Sequence, residues 1–168
     1  MKKLIHLLII LFLSIGCKQN KKSEPVMLHD GFYEVIKADT TYSTLNDTMQ
    51  VGQMIVRFDT IFNPKDYTKI LIDTSDFVAL ELEVAPTTEQ QTESKKLLSI
   101  SLTPEMAEKV KNFTSKRLMK QVAIVLDNKA ITMHKIREAI TGNKIQITRC
   151  NDNACEYLYT KMKNRVNR

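Results

Sequence analysis

An α+β fold, a mixed β-sheet with helices packed mainly on one face, is the class that this 168-residue sequence predicts. Two observations carry it. From Asp76 onward the apolar pattern switches between strict alternation and three-to-four spacing, in the order β-β-α-β-β-α-β-α. The composition, 43% hydrophobic and 26% charged with four Gly and four Pro, suits one globular domain with appendages and shows no repeat.

The elements follow in order. "GFYEVIKA", from Gly31, alternates as a first strand. "DTTYSTLNDTMQ" is rich in Thr, Asp and Asn and reads as a loop. Met54, Val56 and Phe58 share a face of the next strand. "NPKDYTKIL" offers Asn63 as N-cap and Pro64 at the first helical position, which predicts a short helix. Val78, Leu80, Leu82 and Val84 oppose Glu81 and Glu83 in a half-buried strand. "APTTEQQTESKK" is polar and reads as a surface connection, the best candidate for local mobility. "LLSISL" is a strand, and "TPEMAEKVKNFTSKR" is a helix capped by Thr103, with Met106, Val110, Phe113 and Arg117 on one stripe. "QVAIVL" is apolar on both faces and belongs in the middle of a sheet. Asp127-Asn128 suits a tight hairpin turn into Ala130–Thr132. "HKIREAIT" reads as a short helix closed by Gly142, "KIQIT" as a strand, and "NACEYLYTKMKNR" as a last helix capped by Asn153, with Ala154, Leu158 and Met162 on one face.

The amino terminus, "MKKLIHLLIILFLSIGC", places two lysines before an apolar run that ends at Gly16-Cys17. The run is short for a transmembrane helix, and a small residue before Cys suits a cleaved secretory signal. It looks like a bacterial lipoprotein signal, with Cys17 as the lipidated first residue, although Ser14 stands where such signals usually carry Leu. The division expected is a signal over 1–16, a flexible tether over 17–30, a strand and short-helix segment over 31–75 and an α+β domain over 76–168. A coil of the tether's length reaches about 20 Å, so the domain is expected close to a bilayer, anchored in the cell envelope by its lipid. The formal charge of +6 falls to +4 without Lys2 and Lys3. No basic stripe is interleaved with aromatics, so no nucleic-acid partner is expected.

From Leu98 to Thr148 the chain resembles the head subdomain of the first large periplasmic region of SecD, an accessory subunit of the protein-export machinery. Leu102-Thr103, Ala107, Thr114, Ala123 to Asp127, Ile136, Glu138-Ala139-Ile140, Gly142 and Ile147-Thr148 carry the likeness, which extends more loosely over Phe62 to Lys163. The resemblance implies the fold of that subdomain and a peptide-handling ancestry. Four positions depart from it: Asn128, Met119 and Arg149 stand where the family has Gly, and His134 where it has Pro. The multi-pass membrane part of SecD has no counterpart in these 168 residues, so no proton-driven translocation motor is implied.

Few residues suggest chemistry. Cys150 and Cys155 straddle the turn before the last helix; a disulfide and a pair of free thiols are both open, while the spacing is not the Cys-x-x-Cys of a metal or redox site. His134 lacks a recognisable nucleophile and orienting acid, and no Gly-x-Ser-x-Gly element occurs. Glu81 and Glu83 share a face, as exposed strand positions commonly do. The expectation is a non-enzymatic lipoprotein without cofactor, metal or small-molecule substrate. It binds protein or peptide, with Asp127, Asn128, Lys129 and His134 as the candidate contact hairpin, in export or folding. The alternative is a structural lipoprotein docked on a single envelope partner. Cys17→Ser is expected to abolish labelling by a palmitate analogue in cells; label retained on the variant would overturn the anchor.

Overall fold

In the computed structural model the described residues are 27–39, 50–59, 69–93, 95–150 and 152–166. Five strands close into a barrel in the order β1-β3-β2-β7-β6: β1 (Gly31–Asp39), β2 (Gln53–Phe58), β3 (Lys69–Ala79), β6 (Gln121–Leu126) and β7 (Lys129–Lys135). Every pairing is antiparallel except β2 with β7, which makes the barrel mixed. β4 (Thr87–Thr92), β5 (Lys95–Ser101) and β8 (Lys144–Cys150) form a separate antiparallel sheet, ordered β4-β5-β8. Two helices, α1 (Pro104–Ser115) and α2 (Asp152–Lys163), complete the α+β architecture.

The strands therefore divide into a barrel and a sheet rather than forming one sheet. Register shifts on β1, between Tyr33 and Val35 and between Val35 and Lys37, mark irregularities of the kind that bend a strand far enough to meet both β3 and β6. The boundary expected between 75 and 76 falls inside β3, and β1 and β2 are barrel staves rather than an appended segment.

Two cores result. Tyr33, Val35, Val56, Phe58, Ile70 and Ile72 fill the barrel, with Ala123 and Ala130 making room for the two large rings. The second core lies between barrel, sheet and helices, and contains Phe32, Val78, Leu98, Ile100, Met106, Val110, Phe113, Leu158 and Met162. β6 belongs to both: Ala123 and Val125 face the barrel, while Val122, Ile124 and Leu126 face the helices. This double burial explains why "QVAIVL" has no polar face.

Other expectations fare variously. The helix from Thr103 forms as read: the Thr103 hydroxyl accepts from the Met106 N–H at 3.3 Å, and Met106, Val110, Phe113 and Arg117 are all buried. The last helix also forms, on Cys155, Leu158 and Met162; it starts at Asp152, so Asn153, read as its cap, lies inside its first turn, and the side chain of Ala154 is outside the described residues. Of "NPKDYTKIL", 63–68 lie outside the described residues, and Lys69–Leu71 are strand, because a buried apolar run satisfies a barrel stave. Leu80 and Leu82 are buried and Glu81 and Glu83 exposed, as their alternation required, but the ladder of β3 stops at Ala79 and Val84, expected on the buried face, stands in solvent. "TTEQQT", read as a connection, is strand β4, fully exposed; its backbone pairs with β5 whatever its side chains face. "HKIREAIT" is not a helix. His134 and Lys135 continue β7, and the backbone beyond bonds to distant partners: Ile136 N–H to Lys120 O at 2.9 Å and Ile140 N–H to Thr114 Oγ1 at 3.0 Å.

A Cβ on Gly31 would stand 2.4 Å from the carbonyl oxygen of Val78, on the paired strand. Gly31→Ala is therefore expected to destabilise the fold by about 1–3 kcal/mol, measured by chemical denaturation, because backbone rather than a flexible side chain must move.

Candidate functional site

The β6–β7 hairpin turns on Asp127 (φ 49°) and Asn128 (φ 62°), the left-handed pair of a two-residue turn that Asn and Asp tolerate. Its tip is engaged internally. The Asp127 N–H donates to Asp30 Oδ1 at 2.7 Å, and Asn128 Oδ1 accepts from the Leu28 N–H at 2.7 Å. The Asp127 carboxylate receives Lys161 on one oxygen and Arg165 on the other, at 2.5 Å, and Arg165 Nε reaches Asp30 Oδ2 at 2.6 Å. The Lys161 hydrogen bond, then the Arg165 charge, hold the Asp127 carboxyl below its ordinary range against a partial desolvation that opposes them. Lys129 sits 3.5 Å from Asp59, whose carboxylate is buried. Three of the four candidate contact residues thus latch the hairpin to the start of β1, the loop after β2 and the end of α2.

A shallow cleft of about 370 Å³ opens on each side of Arg165. One is lined by Asp30, Leu80, Glu81, Leu82 and Thr103, the other by Tyr157, Thr160, Lys161 and Asn164. Neither holds a nucleophile beside a base, and no group of three metal-ligating side chains converges among the described residues.

His134, the fourth candidate, is exposed on β7, with Nε2 2.5 Å from Thr132 Oγ1. Partial burial of its ring shifts its pKa downward. His29 stacks on Phe77 at 5.6 Å, and Phe77 on Tyr33 at 5.0 Å. The Tyr33 hydroxyl donates to His29 O, and burial first, then the Asp30 charge, push its pKa up to about 12. Cys155 is buried and disulfide-bonded; the side chain of Cys150, and Cys17, lie outside the described residues.

Two features escaped the sequence. The first is the network around Arg117. Its guanidinium lies 3.7 Å over the Phe113 ring, with Nη2 2.8 Å from Asp76 Oδ2. Nε is 3.0 Å from Glu34 Oε2 but off the line of a hydrogen bond. Glu34 also takes Lys120 at 2.6 Å, so the network pins the end of α1 to β1 and β3. The only hint was a cation on the apolar stripe of a helix. The second is the outer edge of β4: among the described residues no strand pairs with it, and all six of its residues are exposed. Unpaired strand edges present alternating N–H and C=O groups to any extended chain.

The SecDF P1 head subdomain family matches residues 65–158, more than half of the chain. The fold is similar to that of SecDF in its super-membrane-facing form, at 21% identity and a TM-score of 0.51 over 80% of this chain and 18% of that one. It is similar also to SecDF described as a membrane component that enhances protein export (21%, TM-score 0.48, 82% of this chain and 63% of that one). A third similar structure is SecDF, a translocon-associated membrane protein, from Thermus thermophilus (16%, TM-score 0.44, 97% and 33%). The chain thus spans under a fifth of the first of these. No curated protein matches the sequence.

Removing the latch charge with Asp127→Asn is expected to cost about 0.5–1 kcal/mol, since the pair is half-exposed. A carboxyl with a depressed folded-state pKa stabilises above its ordinary value of 3.8, and that stability is lost as pH falls through the folded value. Melting curves of wild type and variant should therefore differ at pH 7 and converge as pH falls below 3.8 and through the depressed folded-state value.

Proposed function

Because this chain belongs to the SecDF P1 head subdomain family, we propose that it binds extended polypeptide in the cell envelope, in a role related to protein export, held to a membrane by lipid on Cys17. The observation that carries the binding mode is the outer edge of β4, against which no strand pairs among the described residues. Strand addition gives affinity through main-chain hydrogen bonds, which every polypeptide offers, and so suits a protein that handles many sequences. The Thr and Gln side chains of β4 leave the edge polar, with Glu89 its one charge, and the edge lacks the Pro or Lys that commonly blocks such pairing.

The hairpin tip is a poorer contact, because Asp127, Asn128 and Lys129 are already engaged. The reading is non-enzymatic. We assign the partner of Cys155 as Cys150, five residues back across the turn; a loop this short adds about 2 kcal/mol. The whole-length activities of SecDF are not carried over, since the chain spans 18% of that protein.

A photo-reactive residue at Gln90, with a second at His134, tests the proposal in cells. Adducts at Gln90 with many secreted chains are expected, lost in a Thr88→Pro background that spoils the edge. A single adduct would favour a dedicated envelope partner instead, and adducts at His134 alone would overturn the β4 assignment.

A further inference from the structure

The turn after α1 is the one place among the described residues where two consecutive large apolar side chains stand in solvent, Leu118 at 51% and Met119 at 63% exposure. Met119 has φ 67°, a conformation that a side chain adopts at a cost and Gly does not. The turn is fixed by its backbone: the Met119 N–H donates to Ile136 O at 2.7 Å and the Ile136 N–H to Lys120 O at 2.9 Å. Those bonds bring together two segments that carry exposed cations. Lys116 and Lys120 lie on the turn itself, Lys135 pairs across the ladder with Gln121, and Arg137 follows Ile136. The nearby carboxylates are Glu34, which faces Arg117 and Lys120, Asp76, paired with Arg117, Asp73, which feels the charges of Arg117 and Lys120, and Glu138, next to Arg137.

We infer that this turn contacts an anionic phospholipid bilayer, with Leu118 and Met119 entering the boundary between headgroups and acyl chains and Lys116, Lys135 and Arg137 on the lipid phosphates. Apolar tips ringed by Lys and Arg are what interfacial binding requires, whereas Lys is depleted from protein–protein interfaces. Each cation beside an anionic surface adds about five-fold in affinity. The chain enters the domain at Asn128, at the other end of β6, roughly 20 Å from this turn. Ten residues separate Cys17 from Leu28 and span at most about 35 Å, so an anchor at Cys17 leaves the turn within reach of the same bilayer. The contact goes beyond polypeptide binding at β4 and is independent of it.

The test places a fluorescent amino acid at position 119 or, as a control, at position 90 of the full chain. The protein is then mixed with vesicles of brominated phosphatidylcholine, with or without phosphatidylglycerol. Quenching at 119 and not at 90, deeper with phosphatidylglycerol, is expected. Neutralising Lys116, Lys135 and Arg137 to Gln should lower the apparent lipid affinity of that signal by about 100-fold. Equal signals at 119 and 90, indifference to anionic lipid, or shielding of 119 by soluble protein alone would overturn the inference. Met119→Gly removes the strain and cannot fail for want of folding. With the reporter at 118, it should melt higher and lose quenching; higher melting with quenching intact would also overturn it. None of these results alters crosslinking at Gln90.

Discussion

One strand wall separates and joins the two cores. β6 gives Ala123 and Val125 to the barrel and Val122, Ile124 and Leu126 to the layer under the helices, with no residue between Val122 and Leu126 exposed. Because it is lined on both faces, neither core closes without it. β1 shares the duty, sending Phe32 one way and Tyr33 and Val35 the other. The polar sites sit where this wall ends. Arg117 and Lys120 gather at the Gln121 end, Asp127 and its cations at the Leu126 end, so the same strand that unites the cores sets the separation of the two charged ends.

How far the sequence could be read depended on whether a segment's environment was written in its own side chains. The stripe of Met106, Val110 and Phe113, capped by Thr103-Pro104, is self-describing, and α1 formed as read. β6 declared its double burial in the same way. "TTEQQT" could not declare itself, because strand β4 exists through the backbone of β5 while all of its side chains meet water. "HKIREAIT" has helical spacing, yet Thr114 and Lys120 claim the backbone groups that a helix would have used. Closure of the barrel rests on register shifts in β1 that leave no compositional mark.

The candidate site was legible in its parts and not in its arrangement. Asp127-Asn128 announced a turn, but the residues that occupy it, Asp30, Lys161 and Arg165, lie 34 to 97 positions away in the sequence. Charge alone therefore suggested a free contact surface where the fold has built a closure. The resemblance to the SecD head pointed to the right family, and the match over 65–158 falls within the span on which it rested.

The latch also has a mechanical meaning. Leu28 and Asp30 are gripped at the hairpin tip before β1 begins its ladder at Gly31 opposite Val125. A pull on the amino-terminal segment therefore loads a few half-exposed hydrogen bonds and ion pairs before it reaches any buried side chain. Those contacts stand between the amino-terminal segment and the barrel, so they are the first to be loaded and the barrel register the last.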